Sequence, residues 1–118
     1  MLHELKTEIW VGALIARAQI AGASAYVVKK GDLDVGSVIV KTASLNCPAE
    51  LLVPSRNMSG DVIFVRFEPN QRLDGSVERS REFAIDQYIQ KRIAQDRDLW
   101  VVEIEDKHGR NFLIEPVE

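Results

Sequence analysis

With 118 residues, 46% of them hydrophobic and 28% charged, the chain has the length and balance of one average globular domain. That excludes a two-domain enzyme with an interdomain cleft, a collagen-like repeat and a disordered linker. The formal net charge of -3 is uneven: Met1–Gly60 carries six basic and five acidic residues, Asp61–Glu118 nine and thirteen. Neither half supplies the basic field on which non-specific nucleic-acid binding depends, so nucleic acid is disfavoured as a partner.

The first predicted element is a helix from Thr7 to about Ala21. Thr7 can act as N-cap, Glu8 suits the positive end of the helix dipole, and Gly22 can terminate the helix in a left-handed conformation. At about 100° per residue the apolar positions cover an arc of roughly 260°, whereas a helix resting on one sheet needs an arc of little more than ~100°. Such a helix wants two partners. With both helices on one face of a single sheet, the surplus would be Trp10, Val11, Leu14 and Ile15, an exposed patch of the kind that marks a partner surface, most simply a homodimer. Otherwise the sheet curls round the helix and buries it in one chain. Arg17 lies inside the arc and must be paired, stacked on an indole or directed outward.

No run reaches the ~18 to 20 apolar residues that span a bilayer. Glu4 and Glu8 beside a single Lys6 make a poor secretory leader, so the segment is read as part of the fold and no membrane is expected. The lone cysteine, Cys47, agrees with a reducing, cytoplasmic setting, and Asn57-Met58-Ser59 fits a glycosylation sequon only by chance.

From Ala25 the period changes to two. Tyr26–Lys29 and Ser37–Lys41 read as strands around Gly31, Asp32, Asp34 and Gly36. Leu51–Val53 is a short strand closed by Pro54, and Val62–Phe67, apolar on both faces, is the strongest central-strand candidate. These four strands suggest an antiparallel meander. Pro69–Ser76 reads as a loop. A second helix from about Ser80 to Gln95 has one narrow stripe, Ile85, Tyr88, Ile89 and Ile93. Leu99–Glu105 is a strand, Asp106–Gly109 a tight turn, and Asn111–Ile114 a returning strand. The expected fold is one α+β domain over residues 1–118. It has a mainly antiparallel sheet of five to six strands and two helices, in the order helix, four strands, helix, two strands.

The one constellation with catalytic character is Glu103, Glu105 and Lys107 on the penultimate strand. Glu103 and Glu105 share a face about 7 Å apart, and Glu105-Asp106-Lys107 matches the E-x-K half of a metal-dependent nuclease signature, with Asp98 or Asp61 as the upstream carboxylate. Alternating glutamates are equally the ordinary protection of an edge strand. His3 and His108 have no orienting partner in the sequence, Cys47 has no adjacent cation to activate it, and no glycine-rich phosphate cradle is present. A pocket between the second helix and the sheet near Tyr88 and Arg66 is conceivable but carries no motif. The basic residues Arg79, Arg81, Lys91, Arg92 and Arg97 interleave with acidic ones, as on a solvated helix face. No cofactor and no resident metal are expected.

Two blocks carry a family likeness: Leu5–Val11, and Asp98–Asp106 with Gly109-Arg110, Phe112-Leu113 and Glu115-Pro116. Together they resemble the short alphaproteobacterial proteins grouped as domain of unknown function 1491. The resemblance implies a free-standing cytosolic domain and transfers no activity, cofactor or catalytic residue. The leading expectation is therefore a non-catalytic interaction or regulatory module that self-associates through its first helix, with contacts from Trp10, Val11, Leu14, Ile15 and Arg17. The alternative is a metal-dependent hydrolase or nuclease using Glu103, Glu105 and Lys107.

Overall fold

The computed structural model describes residues 5–69 and 77–118, with the backbone alone at 77–80. Its elements are α1 (Thr7–Ile20), β1 (Ser24–Lys29), β2 (Val38–Ala43), β3 (Glu50–Arg56), β4 (Val62–Arg66), α2 (Val77–Gln95) and β5 (Trp100–Glu105). His3 and residues 70–76 of the expected loop lie outside the described residues.

The strands form one sheet in the order β1-β5-β2-β3-β4. The expected meander therefore holds only for β2, β3 and β4, which pair antiparallel in sequence. β5 inserts between β1 and β2, antiparallel to the first and parallel to the second, so the sheet is mixed. The reason lies in the wide β1–β2 connection. Its Asp32 N–H donates to the Asp98 carbonyl and its Asp32 carbonyl accepts the Trp100 indole N–H at 2.7 Å. The loop is thus closed over the start of β5 instead of folding back as a hairpin. A Cβ at Gly31 or Gly36 would collide with the Asp98 carbonyl oxygen, so these two glycines permit the close crossing.

The Val62–Phe67 run is the edge strand β4 and not a central one; β2 is the middle strand, and β5 beside it is buried on both faces. Trp100, Val102 and Ile104 are buried on one face, Leu99 and Val101 on the other. β3 continues through Pro54, which the sequence marks as a stop. Phe64 turns its N–H and carbonyl outward, to Pro116 and Glu118, so its pair with Pro54 is a non-hydrogen-bonded one. The missing N–H of Pro54 then faces the side where β2 no longer pairs, a site that tolerates proline.

The helices lie on opposite faces of the sheet, not on one. α1 packs Trp10, Val11, Leu14 and Ala18 against Val38, Val40, Phe64, Trp100, Val102 and Ile104. α2 packs Ile85 and Ile89 against Ile39, Leu51, Leu99 and Val101. Thr7 is the first helical residue and no side-chain cap is made. Instead the β1–β2 loop caps α1: the Thr7 and Glu8 N–H groups donate to the Asp34 and Leu33 carbonyls, and the Thr7 hydroxyl donates to that of Gly36 at 2.9 Å.

Asn111–Ile114 forms no strand. Both sides of β5 are already occupied, by β1 and β2, so a returning strand has no edge to pair with. The segment becomes a strap over the α1 layer. Phe112 takes a left-handed φ of 61°, its carbonyl accepts Arg17 Nε at 3.0 Å, and Phe112, Leu113 and Val117 pack on the core of that face. The strap ends beside β4, where Phe64 and Val117 form a parallel bridge. This strap is the second partner that the wide apolar arc of α1 required.

Candidate functional site

The sheet register builds one polar platform on the α2 side. Ser24, Glu105 and Ala43 lie in one cross-strand row, and Tyr26, Glu103 and Lys41 in the next. Because side chains alternate along a strand, all six face α2. The Tyr26 hydroxyl donates to Glu105 Oε1 at 2.9 Å. Partial loss of solvation, together with the Glu105 and Glu103 carboxylates, pushes the phenol well above its ordinary value, so Tyr26 is a donor and not a base.

Lys41 is buried in the middle of the sheet, with Nζ 2.8 Å from both Glu82 Oε2 and Asp86 Oδ1 of α2. Burial opposes its charge, but Asp86, Glu82 and the nearby Glu103 outweigh that and raise its pKa. Glu82 and Asp86 are four apart and so share one helix face.

A cleft of about 510 Å³ opens at the row of Ser24, Ala43 and Glu105, walled by Ser44, Leu45, Glu82 and Lys107. It lies beyond the carboxyl ends of the parallel strands β2 and β5, the usual place for a binding site in such sheets. Its floor beyond β5 is fixed by Asp106. That buried carboxylate accepts Arg110 Nε and Nη2 at 2.9 Å each and the N–H groups of His108 and Arg110. The Arg110 hydrogen bonds hold the Asp106 carboxyl far below the usual range.

The sequence-predicted trio is only partly assembled. Glu103 and Glu105 do share a face, and Glu105 and Lys107 both line the cleft. Lys107 lies past the strand end, however, where its carbonyl accepts from Ser44 and Asn46. Neither upstream carboxylate joins them. Asp98 precedes the far end of β5, seven residues or roughly 23 Å from Glu105 along an extended strand, and Asp61 sits at the β3–β4 turn on the opposite side of the sheet. Among the described residues no group of three or more His, Cys, Asp and Glu side chains is placed to hold a metal ion.

The other candidates resolve into structural roles. His108 is an exposed turn residue bonded to Asp106 through its N–H, and Cys47 is half-buried beside Gly109. The space near Tyr88 and Arg66 is filled: Phe67 stacks on Tyr88 with centroids 4.2 Å apart, and Arg66 pairs with Glu50. Of the helix residues expected as exposed surplus, Trp10, Val11 and Leu14 are buried within the chain, 4%, 2% and 0% exposed. Ile15 is half-buried against the core and Arg17 is tied to the strap. What α1 turns outward is an apolar stripe of Ile9, Ala13, Ala16 and Ile20, bordered by exposed Glu8, Gly12 and Gln19. The angular order was readable in the sequence. Which sector met the sheet was not.

Residues 5–114 match the family described as "Protein of unknown function (DUF1491)". The chain belongs to the DUF1491 family. A DUF1491 protein from Caulobacter crescentus CB15, in a crystal structure at 1.87 Å resolution, is 39% identical. That match covers 97% of this chain and 99% of that one, with a TM-score of 0.82. An NMR structure of a DUF1491 protein from the same organism is 38% identical over 98% of both chains, with a TM-score of 0.77. The solution structure of Atu0922 from A. tumefaciens is 28% identical over 98% of both chains, with a TM-score of 0.71. No curated protein gives a significant match. This DUF1491 member thus shares its whole fold with its relatives, while the family brings no activity with it. No described helix is long and apolar enough to cross a membrane.

Proposed function

We propose that this DUF1491 protein is a non-catalytic interaction module of the cytoplasm that self-associates through the outward face of α1. The observation that carries the reading is the stripe Ile9, Ala13, Ala16, Ile20, with Ile9 53% and Ile20 88% exposed. Its spacing of four, three, four is that of a coiled-coil seam, and it reads the same from both ends. A two-fold axis between Ala13 and Ala16 sets alanine against alanine and isoleucine against isoleucine in an antiparallel pair. That is the self-complementarity an isologous interface requires. Small residues at the crossing allow close approach, and the antiparallel helices oppose their dipoles favourably. Arg17 borders the stripe on one side and Gly12 and Gln19 on the other, Ile15 is turned toward the core, and Trp10, Val11 and Leu14 support the helix from beneath.

Light scattering and sedimentation equilibrium test this directly. The wild type is expected to be a dimer, and Ala13→Glu with Ala16→Glu a folded monomer with an unchanged circular-dichroism spectrum. A wild type that stays monomeric at NMR concentrations, or a dimer indifferent to both substitutions, overturns the reading.

A further inference from the structure

The two edges of the sheet are treated differently. The outer edge of β4 is covered by the strap, through the hydrogen bonds of Phe64 and Arg66 with Pro116 and Glu118. Among the described residues the outer edge of β1 is paired with nothing. Exposed edges are ordinarily guarded by charge, proline or bulges. In β1 the regular stretch Ser24–Val27 carries none of these. The bulge comes only after it, at Val28, and the Lys29 ammonium is folded back onto the Arg97 and Leu99 carbonyls at 2.8 and 2.9 Å. Tyr26, Val27 and Val28 are all exposed.

We infer that the β1 edge is a strand-addition site for an extended peptide segment of a partner, with lysine or arginine at alternate positions. Main-chain hydrogen bonds to Ser24–Val27 would supply affinity, as in other cases of β-augmentation, and the two faces set the partner's character. On the α2 side the platform and its cleft hold the carboxylates of Glu103, Glu105, Glu82 and Asp86 against two ammonium groups, buried Lys41 and exposed Lys107, so the balance is net negative. Glu105 already reaches Tyr26 on β1, and a long basic side chain on the added strand, two strand spacings or about 10 Å from β5, can extend toward it across β1. On the α1 side the partner meets Val27, which suits an apolar residue.

A second copy of this chain does not fit the same edge. Two-fold pairing of β1 with β1 places the acidic platforms of both sheets side by side, and like charges oppose it. The inference is thus independent of the α1 interface.

The test uses the full chain and a capped synthetic hexapeptide of alternating valine and lysine, titrated by amide NMR. Binding is expected, with shifts confined to β1, β5 and the cleft, and weakened at least tenfold by Glu103→Gln with Glu105→Gln. A valine–glutamate hexapeptide should not bind, nor should the lysine peptide N-methylated at every residue, which has no main-chain donor on either edge. Ala13→Glu should leave binding unchanged. No binding at millimolar peptide overturns the inference, as does equal binding of the N-methylated peptide, indifference to the double carboxylate variant, or exchange protection of β1 amides in a dimer that excludes the peptide.

Discussion

Lys41 Nζ lies 2.8 Å from Asp86 Oδ1 and joins the centre of the sheet to α2. The lysine is buried while its partners Glu82 and Asp86 are about half exposed, so the two sides of the ion pair are not equivalent. Removing both carboxylates takes away the hydrogen-bonded partners of a buried charge and leaves it only the nearby Glu103, and Glu82→Ala with Asp86→Ala is expected to destabilise by about 3 kcal/mol in urea denaturation. Lys41→Met, which removes the charge and leaves carboxylates that water can solvate, should change stability by less than ~1 kcal/mol. Because the folded pKa of Lys41 is raised, its contribution is fully present below the unfolded value of about 10.4 and is lost as pH rises through the folded value. The alkaline limb of the stability curve should therefore flatten in Lys41→Met.

Asp106 controls the opposite limb. Its folded pKa is depressed by Arg110 and by two backbone N–H groups, so the stabilisation is present above the unfolded carboxylate value of about 3.9 and fades as pH falls below it. Asp106→Asn keeps the size and loses the charge. Calorimetry should show a melting temperature lower by about 5 °C at neutral pH and a smaller difference from wild type near pH 3. Arg110→Lys, unable to make the bidentate pair, should show much of the same loss.

Two glycines should respond with opposite signs. Gly12 lies in α1 with nothing near its missing Cβ, so Gly12→Ala should stabilise by about 0.5–1 kcal/mol through helix propensity. Gly36→Ala meets the Asp98 carbonyl and the Trp100 ring and should destabilise by about 1–3 kcal/mol. Denaturation midpoints with unchanged m-values would separate these effects from changes in the unfolded state.

How much of this was legible in the sequence depends on what kind of information was needed. The change of period from 3.6 to two at Ala25 separated α1 from the strands, the stripe Ile85, Tyr88, Ile89 and Ile93 marked α2, and β-branched and apolar runs marked five strands. Their order was not readable, because an alternating pattern fits a hairpin and a crossover equally. One signal did mark β5: Leu99-Trp100-Val101-Val102 is apolar at every position, as in strands buried on both faces. Asn111–Ile114 has strand-like composition, but a free edge is a tertiary property and no local pattern reports it. For the candidate site, Glu103 and Glu105 were visible as a pair. Lys41 was hidden in a β-branched run whose partners lie 41 and 45 residues away.

Trp10 and Phe64 tie α1 to β4, stacked with centroids 5.8 Å apart and an interplanar angle of 14°. The Trp10 indole N–H also donates to buried Glu115 of the strap at 2.9 Å. Phe64→Ala removes a fully buried ring and should destabilise by about 3–5 kcal/mol. Trp10→Phe keeps most of the stack and should lose about 1–2 kcal/mol with the indole hydrogen bond. Intrinsic fluorescence of that variant would then report Trp100 alone, with blue-shifted emission until global unfolding.

β5, which lies between β1 and β2 in the sheet, is the last of the described strands along the chain. As the polypeptide leaves the ribosome, β1 and β2 emerge long before β5 exists to join them, and a nascent chain ending at Arg97 lacks the strand that both must pair with. β2, β3 and β4 can associate first, while β1 stays unattached until β5 has emerged. Closure of the whole sheet is thus a non-local event of the slow kind. During that interval the apolar edges of β1 and β2 are open to chaperones or to other chains.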